Sequence, residues 1–394
     1  MEVTKMAENK TQMKRRDFLK GAAIGVMGGA IAGMGVYSYS PWRKAFFPEI
    51  ERKLTDIGAC KSIKVTNISE TSWFENAVLM GDIKGAGGLL VNQYTYNWPP
   101  FGDGNGLAKG SYEAGIAKIK HLLPDKLEDA WEITSKLSVH PENAGGYAAL
   151  LEVEDLEGKK LKYLLDSGWS YKWMDECFKR EGIDKMLANR EIEALLITHE
   201  HFDHFWGLPV TLKYDPTITI YVPEGFFPEG NQYIKDSGHK GKVIVAKNGL
   251  TKIQPGMASF VFGMPIICRV YGELSLYFNV AEKGLVSVTG CCHQSIIQFA
   301  ETAYREIRYA KDKFHGVYGG LHVSPFEDWD PKYDDLVLSL GKYGFEKIGC
   351  NHCTGIVCAK KFIAAGYPVV EGTARFRSKD KAYLGNGDII SFGV

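Results

Sequence analysis

The sequence predicts an α/β fold in which two sheets pack face to face and helices cover their outer faces. Short apolar runs rich in Val, Ile, Leu and Tyr recur along the chain, each bounded by Gly, Pro or Asp, as strands are. Stretches with helical spacing are scattered among them rather than gathered in one half. Strands outnumber helices, so the sheets must bury much of their apolar surface against each other.

In chain order the strands are expected at 146–153, 161–166, 194–198, 218–222, 242–246, 259–262, 267–270, 274–280, 285–289, 316–318 and 347–350. Helices are expected at 114–122, 171–181, 205–212, 295–308, 333–342 and 355–365. Residues 42–55 carry mixed charge and read as a connection, placed within a connecting segment 41–59 ahead of a domain spanning 60–394. Residues 81–110, rich in Gly, Tyr and Asn, read as a lid, part of an insertion around 81–130. Gly102-Asp103-Gly104-Asn105-Gly106 is not a phosphate loop, because no strand feeds it and no Lys-Ser/Thr follows.

The 394 residues carry 47 Lys+Arg and 47 Asp+Glu. That neutral balance argues against nucleic acid as the main partner, since phosphate binding needs a basic surface. Eight cysteines are too few for a disulfide scaffold in a chain of this length. No Gly-x-Ser-x-Gly is present, so serine-nucleophile chemistry has no support.

The most informative stretch is Thr198-His199-Glu200-His201-Phe202-Asp203-His204, directly after the apolar run 194–198. Imidazole and carboxylate are ligands suited to zinc, iron or manganese. His199 and His201, two apart at a frayed strand end, can converge on one ion. Asp203 and His204 open the next helix and can face a second ion nearby. Two ions roughly 3.5–4 Å apart can share a bridging hydroxide.

The pattern His-x-His-x-Asp-His after a strand resembles the metallo-β-lactamase superfamily signature. Leu165-Asp166-Ser167-Gly168 looks like the family's strand-Asp-x-Gly turn, and Phe205-Trp206-Gly207-Leu208 like its Gly-Leu helix start. The resemblance implies a four-layered αββα metallo-β-lactamase sandwich with metals at one edge between the sheets. Thr289-Gly290-Cys291-Cys292-His293, Gly319-Gly320-Leu321-His322 and His352-Cys353-Thr354-Gly355 occur in the order of one branch, that of the dihydropterin–ribofuranosylaminobenzene-phosphate synthases. Carried over to this chain, the resemblance makes His293 and His352 metal ligands beside His199, His201, Asp203 and His204. His322 becomes a substrate contact or a support for the ligands. Many members carry a Pro-Gly-His turn and a bridging Asp in a Thr-Gly-Asp turn. Here no such Pro-Gly-His occurs, and Cys291 stands where the bridging Asp would be. Glu273 could add a carboxylate.

Several residues read as structural or peripheral. Cys350 and Cys353 form a Cys-x-x-Cys, but the family motif favours packing of Cys353 beside the metal pocket over redox chemistry. Cys291 and Cys292 read as separate thiols, because a vicinal ring is strained. Cys60, Cys177, Cys268 and Cys358 read as small buried apolar residues. His140 could lie at the site mouth, His315 is open between structural and functional roles, and His121 and His239 read as exposed.

At the N-terminus, Arg15-Arg16-Asp17-Phe18-Leu19-Lys20 precedes a Gly/Ala-rich apolar stretch. This resembles a twin-arginine export signal over residues 1–40, with Ala30-Ile31-Ala32 as a cleavage site. An uncleaved membrane anchor is the alternative. The resemblance implies export through the twin-arginine machinery to a periplasmic or other extracytoplasmic space.

Together these readings lead to an exported metal-dependent hydrolase acting on a small-molecule ester, lactone, amide or phosphoester. It would use one or two divalent ions, with zinc the first expectation and manganese, iron or magnesium the alternatives. Asp203 and His322 are the expected catalytic side chains. The competing expectations are a synthase-like enzyme on a pterin or phosphate substrate and a non-catalytic metal-containing binding protein of the cell envelope.

Overall fold

The computed structural model describes residues 52–70 and 145–393, apart from 267–269, 326, 328, 330–331 and 379. The arginine pair Arg15-Arg16, most of the connecting segment, the expected insertion with its helix at 114–122, His121, His140 and Cys268 lie outside the described residues.

The strands are β1 (Thr55–Asp56), β2 (Ser62–Ser69), β3 (Ala148–Glu154), β4 (Lys160–Leu165), β5 (Ala194–Leu196), β6 (Thr219–Pro223), β7 (Val243–Ala246), β8 (Gly249–Gln254), β9 (Met257–Ile266), β10 (Val270–Val280), β11 (Gly284–Thr289), β12 (Ile307–Arg308), β13 (Phe314–Gly320), β14 (Ile348–Asn351) and β15 (Ile389–Phe392). The helices are α1 (Tyr171–Glu181), α2 (Ile183–Ala188), α3 (Phe202–Phe205), α4 (Leu208–Tyr214), α5 (Pro228–Asp236), α6 (Ile296–Glu306), α7 (Lys332–Leu340) and α8 (Ile356–Ala364). Among the described residues one sheet has seven strands, ordered β15-β2-β3-β4-β5-β6-β7, and the other six, ordered β14-β13-β11-β10-β9-β8.

Alternation along the strands builds the layers. In β3, Ala149, Leu151 and Val153 point between the sheets, where they meet Leu274, Leu276, Phe278 and Val288 of the other sheet. Their neighbours Ala148 and Leu150 point outward onto Met174 and Phe178 of α1. On the far side, Tyr277 reaches from β10 to the backbone carbonyl of Phe299 in α6 at 2.9 Å. The result is the four-layered αββα sandwich of the metallo-β-lactamase fold. The central strands β5 and β11 are buried at every residue, so they read as continuous apolar runs.

Local chemistry sets the helix ends. Ser170 accepts a hydrogen bond from the Trp173 N–H at the start of α1, and Gly182 in the left-handed region stops it.

The expected helix at 205–212 is two short helices, because the chain turns at Trp206-Gly207 to dock on the loop after β4. A Cβ on Gly207 would lie 2.0 Å from the Ser167 carbonyl oxygen. The expected helix at 295–308 ends at Glu306, and the next two residues pair with β1. That pairing draws the last part of the connecting segment into the fold, with Ile57 fully buried. The expected strand 259–262 is the centre of the longer β9. Strands β2, β8 and β15 and helices α2 and α5 were not expected. β2, β8, α2 and α5 mix Lys, Thr, Asn or Gln into the apolar pattern and β15 is only four residues long, so neighbouring strands or the sheet face complete them.

Candidate metal centre

Strands β4, β5, β6 and β7 run parallel, as do β11, β13 and β14. Their carboxyl ends therefore open on loops at the same end of each sheet, where α/β folds gather ligands. Five of those loops carry the site: Asp166 follows β4, His199 to His204 follow β5, Cys291 to His293 follow β11, His322 follows β13 and His352 follows β14. The two sheets are joined there, with the Leu274 N–H on the Thr198 carbonyl at 2.8 Å and the Tyr147 hydroxyl on the Thr289 carbonyl at 3.2 Å.

All six residues expected to hold metal are buried and come together. His199, His201 and His293 place one ligand atom each within 4.8 Å of one another, and Asp203, His204 and His352 do the same. His199 Nε2 lies 3.1 Å from His201 Nδ1. His204 Nε2 lies 3.0 Å from His352 Nε2, and the latter is 3.3 Å from Asp203 Oδ2. Ligands about 2.0–2.1 Å from a tetrahedral ion sit roughly 3.3 Å apart, so these spacings suit a shared ion.

Residues behind the histidines aim them. The Thr198 hydroxyl donates to Asp166 Oδ2 at 2.7 Å. Its oxygen therefore accepts from His199 Nδ1 at 2.8 Å, which leaves the His199 Nε2 lone pair for a cation. His204 Nδ1 rests on the same Asp166 oxygen at 2.7 Å. His293 Nδ1 rests on Glu273 Oε1 at 2.9 Å, and its Nε2 is buried with no hydrogen-bond partner. A carboxylate or hydroxyl behind each ring is how metal-binding histidines are fixed. The donor set, the orphaned nitrogen and the aimed tautomers fit a divalent metal.

Glu273 thus supports His293 from behind instead of adding a ligand, and its backbone-bonded carboxyl faces away from the cluster. Cys291 Sγ lies 3.4 Å from His204 Nε2, so the thiol does occupy the space between the halves. The His322 ring lies 4.3 Å from the His293 ring, tilted against it by 53°. His315 is structural, bonded to Glu346 at 2.7 Å. His239, expected in solvent, is half-buried and bonded to the Ile218 carbonyl at 2.7 Å. Glu200, in a variable position of the motif, accepts the Phe227 N–H ahead of α5 at 2.8 Å.

The supporting roles of Asp166, Thr198 and Tyr147 were not expected, and Glu273 was expected only as an added carboxylate. The turn motif did contain Asp166, but its partners lie 32 and 38 residues away. Asp166, His322 and His352 all adopt left-handed backbone conformations, a strain that surrounding structure must hold. Gly290 is required beside them, because a Cβ there would stand 2.7 Å from Asp166 Oδ2 and 2.5 Å from the Thr198 hydroxyl.

Burial holds the metal-free histidines neutral. His293 is pushed down to about 3, and His199, His322 and His352 also fall below the ordinary value, each first through burial and then through neighbouring imidazoles for His199 and His322. His204 goes the other way: burial opposes its charge, but Asp203 and Asp166 raise it. Burial pushes the Glu273 carboxyl well up. A depressed histidine gives stability that is present above its unfolded value of 6.5 and lost as pH falls. The raised His204 and Glu273 contribute with the opposite sign, two groups against the four depressed histidines. The urea midpoint of chelator-treated protein should therefore fall as pH drops from about 6.5 toward 5. A midpoint that stays level or rises over that window contradicts the neutral, buried cluster.

The two packed sheets with helices outside are those of the metallo-β-lactamase fold, and the clustered His, Cys and Asp side chains could hold a divalent metal. In agreement, the family model described as "Metallo-beta-lactamase superfamily" matches residues 147–264. The chain is 23% identical over 256 residues to the 7,8-dihydropterin-6-methyl-4-(β-D-ribofuranosyl)-aminobenzene-5'-phosphate synthase of Methanocaldococcus jannaschii, covering 55% of this chain and 83% of that protein. It is 24% identical over 184 residues to exodeoxyribonuclease YycJ of Bacillus anthracis, covering 46% of this chain and 59% of that one. Among solved structures it is similar to Tm1679, a metal-dependent hydrolase of the β-lactamase superfamily. The TM-score is 0.45 at 18% identity, over 64% of this chain and 92% of that one.

Proposed function

We propose that the protein is an exported, zinc-dependent hydrolase of a small-molecule ester, lactone, amide or phosphoester. The observation that carries this reading is the paired donor set, His199/His201/His293 beside Asp203/His204/His352, with three of the five imidazoles aimed from behind. Structural zinc sites are closed and commonly thiolate-rich, whereas a histidine-rich double set suits an open catalytic centre. When bound, the ions would supply a hydroxide nucleophile near neutral pH and polarise the bond under attack.

The chain's own residues do the rest. Asp166, Thr198 and Glu273 fix which imidazole nitrogens face the reacting centre. Asp203 carries negative charge there. Burial opposes its ionisation, but the adjacent His204 and His352 hold its carboxyl well below the usual range. His322, beside His293, is placed to hydrogen-bond the substrate oxygen that gains charge or leaves.

The test is elemental analysis of protein purified without added metal, followed by a panel of ester, lactone, amide and phosphodiester substrates. About two zinc ions per chain and turnover that a chelator abolishes are the expected results. Binding of metal with no hydrolysis anywhere on the panel would sink the hydrolase reading. The relative in Methanocaldococcus keeps a second reading in view, a synthase-like reaction on a pterin or phosphate substrate, and condensation without hydrolysis would select it.

The N-terminal arginine pair supports export. Replacing Arg15 and Arg16 together by Lys should leave the protein in the cytoplasmic fraction, as read by immunoblot of fractionated cells. Unchanged export of that variant would overturn the twin-arginine reading. Among the described residues no helix is long and apolar enough to cross a membrane.

A further inference from the structure

We propose that Cys291 and Cys353 form a redox-active pair that a peroxide oxidises to an intramolecular disulfide when the centre is free of metal. The hydrolase reading uses neither sulfur. Only the protection by metal described below rests on that reading.

The two thiols follow the carboxyl ends of the two outer strands of a parallel trio. Cys291 follows β11, and Cys353 sits in the 3-10 turn after β14, with β13 between the two strands. Both are buried, at 2% and 1% exposure. Their sulfurs lie 3.1 Å apart. A disulfide needs about 2 Å, so a closure of roughly 1 Å suffices. The intervening strand makes room for the meeting. A Cβ on Gly320 would stand 2.6 Å from Cys353 Sγ, so glycine at that position leaves the sulfur its space. The Gly320 N–H also holds the Gly290 carbonyl at 3.2 Å, which fixes the turn carrying Cys291.

The thiols next in sequence, Cys292 and Cys350, are held apart from the pair. Cys292 turns its sulfur onto the Thr289 hydroxyl at 3.4 Å. Cys350 lies within β14, before the turn that swings Cys353 toward Cys291.

The reaction balances with a peroxide as oxidant. One thiolate attacks a peroxide oxygen, giving a sulfenic acid and water. The second thiol then attacks that sulfur and expels a second water. Two thiols lose two electrons and two protons, and the peroxide is reduced. Cys291 Sγ shares its surroundings with His204 Nε2 at 3.4 Å and groups with His352. A sulfur drawn into a disulfide changes the donor set there, and an ion that took Cys291 Sγ as a ligand would keep that sulfur from closing.

The experiment uses the full chain, stripped with chelator and exposed to hydrogen peroxide. Remaining thiols are then alkylated, and the unreduced digest is mapped by mass spectrometry. The expected product is a cross-linked peptide pair joining Cys291 to Cys353, with titratable thiols in denaturant falling from the eight of the sequence by two. Dithiothreitol should restore all of them. The Cys353→Ser variant should give no cross-link and should carry oxyacids on Cys291 instead. A cross-link to Cys292 or Cys350, or oxyacids on Cys291 in the wild-type chain without a cross-link, would overturn the pair. Zinc-loaded protein should keep its thiols under the same treatment, and equal cross-linking with zinc bound would overturn the exclusion of one state by the other. Failure of stripped protein to take up zinc would count against the metal centre while leaving the disulfide map to stand or fall alone.

Discussion

Asp203→Ala is expected to remove about one metal ion per chain and to lower turnover on the order of 10^3-fold, since Lewis-acid and nucleophile chemistry are each worth several kcal/mol. Its carboxylate is the one anionic side chain in the group with His204 and His352. Without it that half keeps two neutral imidazoles and no charge to balance a divalent ion. The other half, His199, His201 and His293, is untouched, so about one ion per chain should remain. The fold should survive, because the backbone carbonyl of Asp203, which receives the Tyr147 N–H at 2.8 Å, stays in place. Metal analysis, circular dichroism and turnover on the same preparation decide the matter. Full metal content with lost turnover would move Asp203 from ligand to catalytic group. Global unfolding would favour a structural metal.

Asp166→Ala should act first on stability. This fully buried carboxylate accepts the Thr198 N–H and hydroxyl at 2.7 Å each and His204 Nδ1 at 2.7 Å. Truncation strands all of these donors where water cannot reach them. At about 1–3 kcal/mol for each buried unsatisfied group, a loss on the order of 3–5 kcal/mol follows. The alanine would also inherit a backbone φ of 58°. Asp166→Asn keeps the volume and some acceptors, so its loss should be smaller, while metal affinity still falls by roughly 10–100-fold as orientation of His204 is lost. Urea denaturation of the chelated proteins separates the two effects. A midpoint for Asp166→Ala equal to wild type would show that the network carries no stability.

These expectations rest on residues of unequal visibility in the sequence. His199, His201, Asp203 and His204 stood out because imidazole and carboxylate at short spacing after an apolar run have few structural uses, whereas His293 and His352 were legible only through the family resemblance. Asp166 was visible only as a turn residue, and Glu273 only as a carboxylate that could join the ligands. A side chain that supports a ligand from behind has no spacing signature, because its partner lies on another strand. Strands β2 and β15 escaped for a related reason. β15 pairs with β2 and β2 with β3, and that pairing rather than an internal period makes them strands.

By itself, then, the sequence pointed to the layered α/β class, the buried central strands and the donors of His199-Glu200-His201-Phe202-Asp203-His204 through local pattern and side-chain chemistry, and to His293 and His352 through the family resemblance. Tertiary structure decided which nitrogens face inward, that Glu273 stands behind His293, and that Cys291 meets Cys353 across Gly320. Those outcomes depend on which strand ends become neighbours. Strand order is settled by long-range pairing, and no run of neighbouring residues encodes it.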